Sequence, residues 1–148
     1  MRGHIGPGTE LSCVLKGNAY GHGIQAFLPL AEDCGIRHFS VFSAREAEEA
    51  LNARRHASSI MIMGYLPEEA VPWAIRNDIS FYVFDLPRLE MAVKVARQLR
   101  LTARIHLELE TGLNRTGITE DEMERAAAMI KSCPELEVAG VTTHYAGA

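Results

Sequence analysis

The sequence is poor in residues that staple, chelate or insert. Its three cysteines, Cys13, Cys34 and Cys133, are odd in number and far apart, so no disulfide framework is expected and a reducing cytoplasm is the expected setting. Its six histidines and three cysteines form no HxxxH or CxxC pair, so no metal site is expected. No stretch approaches the roughly 18 consecutive apolar residues of a membrane span. The opening MRGHIGPGTE has one arginine and no following apolar stretch of export-signal length. Lys and Arg (15) are outnumbered by Asp and Glu (19), which gives a net charge of −4 and no basic patch, so nucleic acid is not an expected partner. Neither GxGxxG after the first apolar run nor GxxxxGK followed by Ser or Thr occurs, so the usual nucleotide-binding loops of open α/β sheets have no direct support.

What is present is one organisation repeated along 148 residues, 47% of them hydrophobic. Short runs of strand formers alternate with amphipathic stretches rich in Ala, Glu, Leu and Arg. The spacing predicts strands over 11–16, 38–43, 59–65, 79–85, 102–110 and 138–146. The helices expected between them begin at recognisable caps or first turns: Ser43 with Glu46, Asp85 with Pro87, and Thr119 with Glu122. Strand and helix in alternation predict an α/β fold with parallel strands, because the helix supplies the crossover that a parallel pair needs. Lys16, Asp85, Glu110 and His144 all fall at or near the C-terminal ends of predicted strands, where α/β active sites are built. With the nucleotide loops missing, this favours the (β/α)8 TIM-barrel type. A complete barrel takes eight strands and about 250 residues, so a truncated barrel of about six βα units is expected, with residues 1–148 forming one partial domain.

The stretch VLKGNAYGHGIQ (14–25) ends an apolar run on Lys16 and follows it with glycines and Tyr20. Alone, such a lysine marks the end of a strand at the surface. In this context it fits a Schiff-base lysine. Glycines let backbone approach a phosphate closely, the helix starting near Ile24 offers N–H donors, and Tyr20 offers a hydroxyl. Lysine, phosphate-friendly loop and barrel mouth together suggest pyridoxal phosphate.

Three motifs then carry a resemblance. VLKGNAYGHG resembles the pyridoxal-phosphate lysine motif of the alanine racemase family, HLELETGLNRTGI (106–118) resembles its second motif, and GVTTHYAGA (140–148) resembles its histidine-bearing strand. They occur in the family's order and close to its spacing, over essentially the whole chain. The resemblance implies a pyridoxal 5′-phosphate-dependent isomerase that interconverts L- and D-alanine and supplies D-alanine for the bacterial cell wall. It also implies a barrel followed by a β-rich domain, in a homodimer with active sites at the interface. Lys16 matches the lysine that binds the cofactor covalently and acts as the base on the D-alanine side. Tyr20 matches a tyrosine on the cofactor phosphate. Arg115 matches the arginine that orients the opposing catalytic tyrosine and holds the substrate carboxylate. His144 matches a histidine packed against the pyridine ring.

Two features depart from the family. Glu108 stands where many members carry a carbamylated lysine, and strand parity places it with His106 and Glu110 on one face, so it is expected to supply an anion to Arg115. The chain also lacks the family's leading strand region, last barrel strands and C-terminal domain, so the 148 residues alone are expected to be inactive. Two alternatives stand beside the main reading: a serine or broad-specificity amino-acid racemase, and a non-catalytic pyridoxal-phosphate carrier on the same kind of barrel. The run REAEEALNARR (45–55) reads as a solvated helix face.

Overall fold

The computed structural model describes residues 2–6 and 8–146. Contacts divide the chain into two compact units, Met1–Tyr65 and Leu66–Ala148. Each repeats the strand-helix alternation that the sequence predicts, with three parallel strands per unit, so the α/β class holds.

The first unit opens with a single helical turn, Arg2–Ile5, which the sequence did not predict. Strands β1 (Ser12–Val14), β2 (His38–Val41) and β3 (Ser59–Ile62) follow, paired in that order. Their crossovers are the helices Ile24–Asp33 and Ala44–Ala53. Leu15, Ile24, Leu28, Phe39, Val41 and Ile62 are buried between helices and sheet. Ala47 and Ala50, three apart on one helix face, are buried too, and their small side chains let that helix lie close to its strands. Glu32 is a buried charge near the end of its helix. Its carboxylate accepts the Ser58 hydroxyl (2.5 Å) and the N–H groups of Arg55 (2.8 Å) and His56 (3.3 Å), which fixes the segment leading into β3.

The second unit contains β4 (Ser80–Val83), β5 (Ala103–Leu109) and β6 (Leu136–Thr143), again paired in sequence order. Helix Leu86–Leu99 begins where expected, because the Asp85 side chain accepts the Arg88 N–H at 2.8 Å and Pro87 needs no partner in the first turn. It buries Leu86, Leu89, Ala92, Val95 and Ala96, a helical stripe. Two expected helices are shorter than the sequence suggests: Glu68–Ala70 and Glu120–Glu122 are 3-10 turns that lead into the helices Val71–Arg76 and Met123–Lys131. β5 and β6 shift register at Ile105/His106, where Gly140 faces His106. A Cβ on Gly140 would lie 2.8 Å from His106 Nδ1, so glycine there lets the imidazole rest against the β6 backbone.

Candidate functional site

In the first unit the site is built on a backbone conformation that the sequence analysis missed. Lys16 follows the last residues of β1 and is exposed. Directly after it, Gly17, Asn18, Ala19 and Tyr20 all have φ between 53° and 64°. They form one turn of left-handed helix, with Ala19 N–H donating to Leu15 C=O (2.7 Å) and Gly21 N–H to Gly17 C=O (3.1 Å). For L-residues this conformation costs about 1–2 kcal/mol per residue, less for Asn. A run of three non-glycine residues in it marks stored strain, which persists only where the surroundings hold it. The holding groups are visible. Glu46 Oε1 accepts the N–H groups of Gly17 (2.7 Å) and Asn18 (3.3 Å), and Asn18 Oδ1 accepts the first N–H of the next helix, that of Ile24, at 2.9 Å. Ala19 is buried and anchors the turn, whereas Tyr20 is 65% exposed.

Glu46 therefore departs from the expected solvated face. Ser43 caps its helix as predicted, accepting Glu46 N–H at 3.3 Å, but the Glu46 carboxylate reaches out to the turn and to Phe42 N–H (2.8 Å). The signal for the turn lay in composition, since Gly17, Asn18, Gly21 and Gly23 are residue types that tolerate positive φ. Nothing in the sequence marked Glu46 as its tether.

In the second unit, residues 110–117 form an excursion at the end of β5, closed by Ile118 N–H donating to Glu108 C=O (2.8 Å) and Glu110 N–H donating to Ile118 C=O (3.1 Å). Arg115 is exposed on this loop. The Glu110 carboxylate accepts the N–H of Gly112 and that of Arg115 (3.3 Å), pinning the loop from within. Hydrogen bonds from the backbone of Asn114, then Gly112, and further from Arg115 and Leu113, hold the Glu110 carboxyl below the usual glutamate range against a smaller opposing effect of burial. Gly117 closes the loop at φ 131°, where a Cβ would stand 2.4 Å from Glu110 N, so only glycine fits.

The expected ion pair between Glu108 and Arg115 is not formed among the described residues. Glu108 is buried, as its strand parity suggested, and its partner is the Thr116 hydroxyl at 2.9 Å. The loop brings Thr116, the next residue along, over the carboxylate. His144 lies one residue beyond β6 and is exposed. Its neighbour Thr143 donates to Leu109 C=O (3.1 Å), which leaves the Thr111 hydroxyl to donate to Thr143 Oγ1 at 2.5 Å. That lattice joins the end of β6 to the start of the Arg115 loop.

The four expected site residues thus fall in two pairs, Lys16 with Tyr20 on one turn and Arg115 with His144 at the ends of neighbouring strands. Among the described residues, no hydrogen bond or ion pair occupies the Lys16 amine, the Tyr20 hydroxyl, the Arg115 guanidinium or the His144 imidazole. Neighbouring carboxylates, Glu46 in one unit and Glu110 in the other, hold the backbones of the two loops.

Residues 1–148 match the family model described as alanine racemase, N-terminal domain. The chain belongs to that family. Alanine racemase of Lactobacillus delbrueckii subsp. bulgaricus is 36% identical over 148 residues, which is 99% of this chain and 39% of the relative. The solved alanine racemase of Clostridium difficile 630 superposes with a TM-score of 0.86 at 25% identity, over 96% of this chain and 37% of that one. The chain thus spans about two fifths of the length of these relatives. A histidine racemase from Leuconostoc mesenteroides subsp. sake shares the fold with a TM-score of 0.83 at 23% identity, covering 93% of this chain and 37% of its own. The strand-helix alternation is therefore that of the alanine racemase N-terminal barrel, as the sequence predicts. Among the described residues no helix is long and apolar enough to cross a membrane.

Proposed function

We propose that Lys16 binds pyridoxal 5′-phosphate covalently and that the protein, in the cytoplasm and as a homodimer, interconverts L- and D-alanine for cell-wall synthesis. The observation that carries this reading is the state of Lys16. Its amine has no partner among the described residues, and it is mounted at a strand end on a strained and tethered turn. The chain's other two lysines have no such setting: Lys94 pairs with Glu68 at 3.5 Å on the surface, and Lys131 ends a helix.

The residues present fit the cofactor by their chemistry. A primary amine suits its aldehyde, a phenolic hydroxyl on the same turn its phosphate, and an imidazole its ring. When bound, pyridoxal phosphate supplies an electron sink for the negative charge left at the substrate α-carbon. Lys16 Nζ takes or returns the α-proton on one face. Tyr20 would hold the phosphate, His144 would pack against the ring, and the planar fork of Arg115 would clamp the substrate carboxylate. Racemisation needs a second proton carrier on the opposite face, a role that falls to a tyrosine of the partner subunit. Side-chain selection is a separate matter, since a histidine racemase shares the fold. The Arg115 clamp favours a racemase over a carrier, because a carrier has no need to hold a substrate carboxylate.

The test is borohydride reduction of the full-length protein loaded with pyridoxal phosphate, followed by peptide mapping and by an assay of D-alanine formed from L-alanine. The pyridoxyl label is expected on Lys16, with Lys16→Ala lowering turnover by about a thousandfold or more, in the range of a lost acid-base group. A label on Lys94 or Lys131 would end this reading.

A further inference from the structure

Glu46 has a place that the reaction above does not use. Its residue lies in the first turn of helix Ala44–Ala53, and its carboxylate joins three parts of the first unit. Oε1 takes the N–H groups of Gly17 and Asn18, at 2.7 and 3.3 Å, and Oε2 takes the Phe42 N–H just beyond β2, at 2.8 Å. The two donors on Oε1 are the first two N–H groups after Lys16. They begin the left-handed turn, in which Asn18, Ala19 and Tyr20 are each held at φ 53–55°. One other fastening acts upstream, Ala19 N–H on Leu15 C=O at 2.7 Å, and the rest act downstream, among them Asn18 Oδ1 on Ile24 N–H and the Asn18 C=O on the N–H groups of Gly21 and Gly23. At its upstream end the turn has Leu15 in the sheet through Ser40 C=O (2.7 Å), then Lys16, then the Glu46 carboxylate. Lys16 thus sits in a turn fastened on one side through Leu15 and on the other by Glu46.

We propose that Glu46 is a positioning residue for Lys16. By accepting the Gly17 and Asn18 N–H groups, it holds the backbone that carries the reactive amine in its strained left-handed form, registered against the end of β2. This rests on the reading of Lys16 as the cofactor-bearing lysine. Loss of the carboxylate frees two donors at the start of a strained turn, and the turn relaxes toward ordinary φ. The amine then wanders relative to the α-carbon whose proton it moves. Misplacement of a reacting group by about 1 Å costs on the order of a hundredfold in rate, while the Arg115 clamp on the substrate carboxylate is untouched. The effect therefore falls on kcat more than on KM.

The experiment compares full-length Glu46→Ala, Glu46→Gln and Glu49→Ala. The last removes a surface partner of Arg45 on the same helix and serves as control. Amide hydrogen exchange is read on the cofactor-free proteins. Borohydride labelling, kcat and KM for L-alanine are read on the loaded ones. In Glu46→Ala the Gly17 and Asn18 amides are expected to exchange about tenfold faster or more, with kcat down about 10- to 100-fold and KM changed less than about threefold. Glu46→Gln should lie between, because its carbonyl oxygen still accepts while its NH2 group opposes one donor. Glu49→Ala should match the unsubstituted protein. If Glu46→Ala does not fold, Glu46→Gln carries the same comparison. Label on another lysine in the unsubstituted protein would overturn the reading of Lys16, and this inference with it. Label on Lys16 with kcat unchanged in the Glu46 variants would overturn this inference alone, whether or not the amides exchange faster.

Discussion

The two loops that carry the expected site residues are both pinned by a carboxylate on backbone N–H groups, but they are pinned from different distances. Glu46 reaches its turn from 28 and 29 residues away, whereas Glu110 pins a loop that begins with its own neighbour. The same contrast recurs away from the site. In the first unit Glu32 binds a segment 23 to 26 residues further on, while in the second Glu122 takes the N–H and hydroxyl of Thr119, three residues back. The backbone differs in step with this. The first loop places three non-glycine residues in succession at positive φ, and the second uses Gly112, Asn114 and Gly117 for its positive-φ positions. A loop that spends glycine where φ demands it can be fastened locally. One that puts side chains there needs a tether from another element.

The largest expected effect breaks the long-range class. Glu32→Ala leaves the buried Ser58 hydroxyl without its acceptor, at about 1–3 kcal/mol, and also removes the acceptor of the part-buried Arg55 and His56 N–H groups. A loss of about 3 kcal/mol or more at neutral pH is expected in urea denaturation, against about 1 kcal/mol for Glu122→Ala, whose bonds to Thr119 are only part-buried. Burial alone would push the Glu32 carboxyl up, but the Ser58 hydroxyl, the Arg55 and His56 N–H groups and the charge of His56 together hold it below the usual range. A group whose folded pKa is depressed stabilises above its unfolded pKa and loses that contribution as pH falls through the folded one. The gap between Glu32→Ala and the unsubstituted protein should therefore narrow once pH drops below the ordinary glutamate range. An acid-independent gap would mean that the carboxylate charge contributes nothing.

A medium effect sharpens the glycine side of the comparison. Gly117→Ala puts a Cβ 2.4 Å from Glu110 N at φ 131°, whereas Gly21→Ala meets nothing within 4 Å at φ 88°. Both pay positive-φ strain, on the order of 1–3 kcal/mol. Only the first adds a clash with backbone that cannot move aside. Gly117→Ala is expected to destabilise the protein by at least about 1 kcal/mol more than Gly21→Ala, read by urea midpoints at constant m-value. It should also raise KM for L-alanine through the Arg115 loop. Equal costs would show that the loop shifts freely around residue 117.

How much of this was legible in the sequence follows the same division. Strand and helix order, the Asp85 and Ser43 caps and the inward parity of Glu108 were readable, because each depends on period or on residues a few positions apart. The left-handed turn was only hinted at by Gly17, Asn18 and Gly21, since the pattern allows positive φ but does not require it at Ala19 and Tyr20. The Glu46 tether was hidden. At position 46 a glutamate three residues after Ser43 reads as a local capping residue, and which donors its carboxylate meets is decided by where β1 lies beside β2. The partner of Glu108 was misread for a related reason: spacing on the loop does not say whether Thr116 or Arg115 returns to the strand.

The smallest effect belongs to the local pin. Glu110 is held below the usual glutamate range chiefly by the N–H groups of Asn114 and Gly112, with those of Arg115 and Leu113 adding to them. Its contribution to loop order is thus complete above the unfolded glutamate pKa and disappears as pH falls through the lower folded one. In protein selectively labelled with 15N-glycine, the Gly112 amide is expected to titrate with a midpoint below the ordinary glutamate value, and Glu110→Gln should abolish that titration. Near neutral pH the variant should raise KM for L-alanine only about two- to threefold, because a neutral carbonyl oxygen still accepts part of what the carboxylate accepted. The Gly17 amide should be unchanged by Glu110→Gln, since its acceptor is Glu46 in the other unit. A Gly112 midpoint at or above the ordinary glutamate value would mean that the Arg115 loop is held by Gly117 and the closing bonds of Ile118, with Glu110 a bystander. A shift of the Gly17 amide in Glu110→Gln would mean that the two loops are not separately fastened.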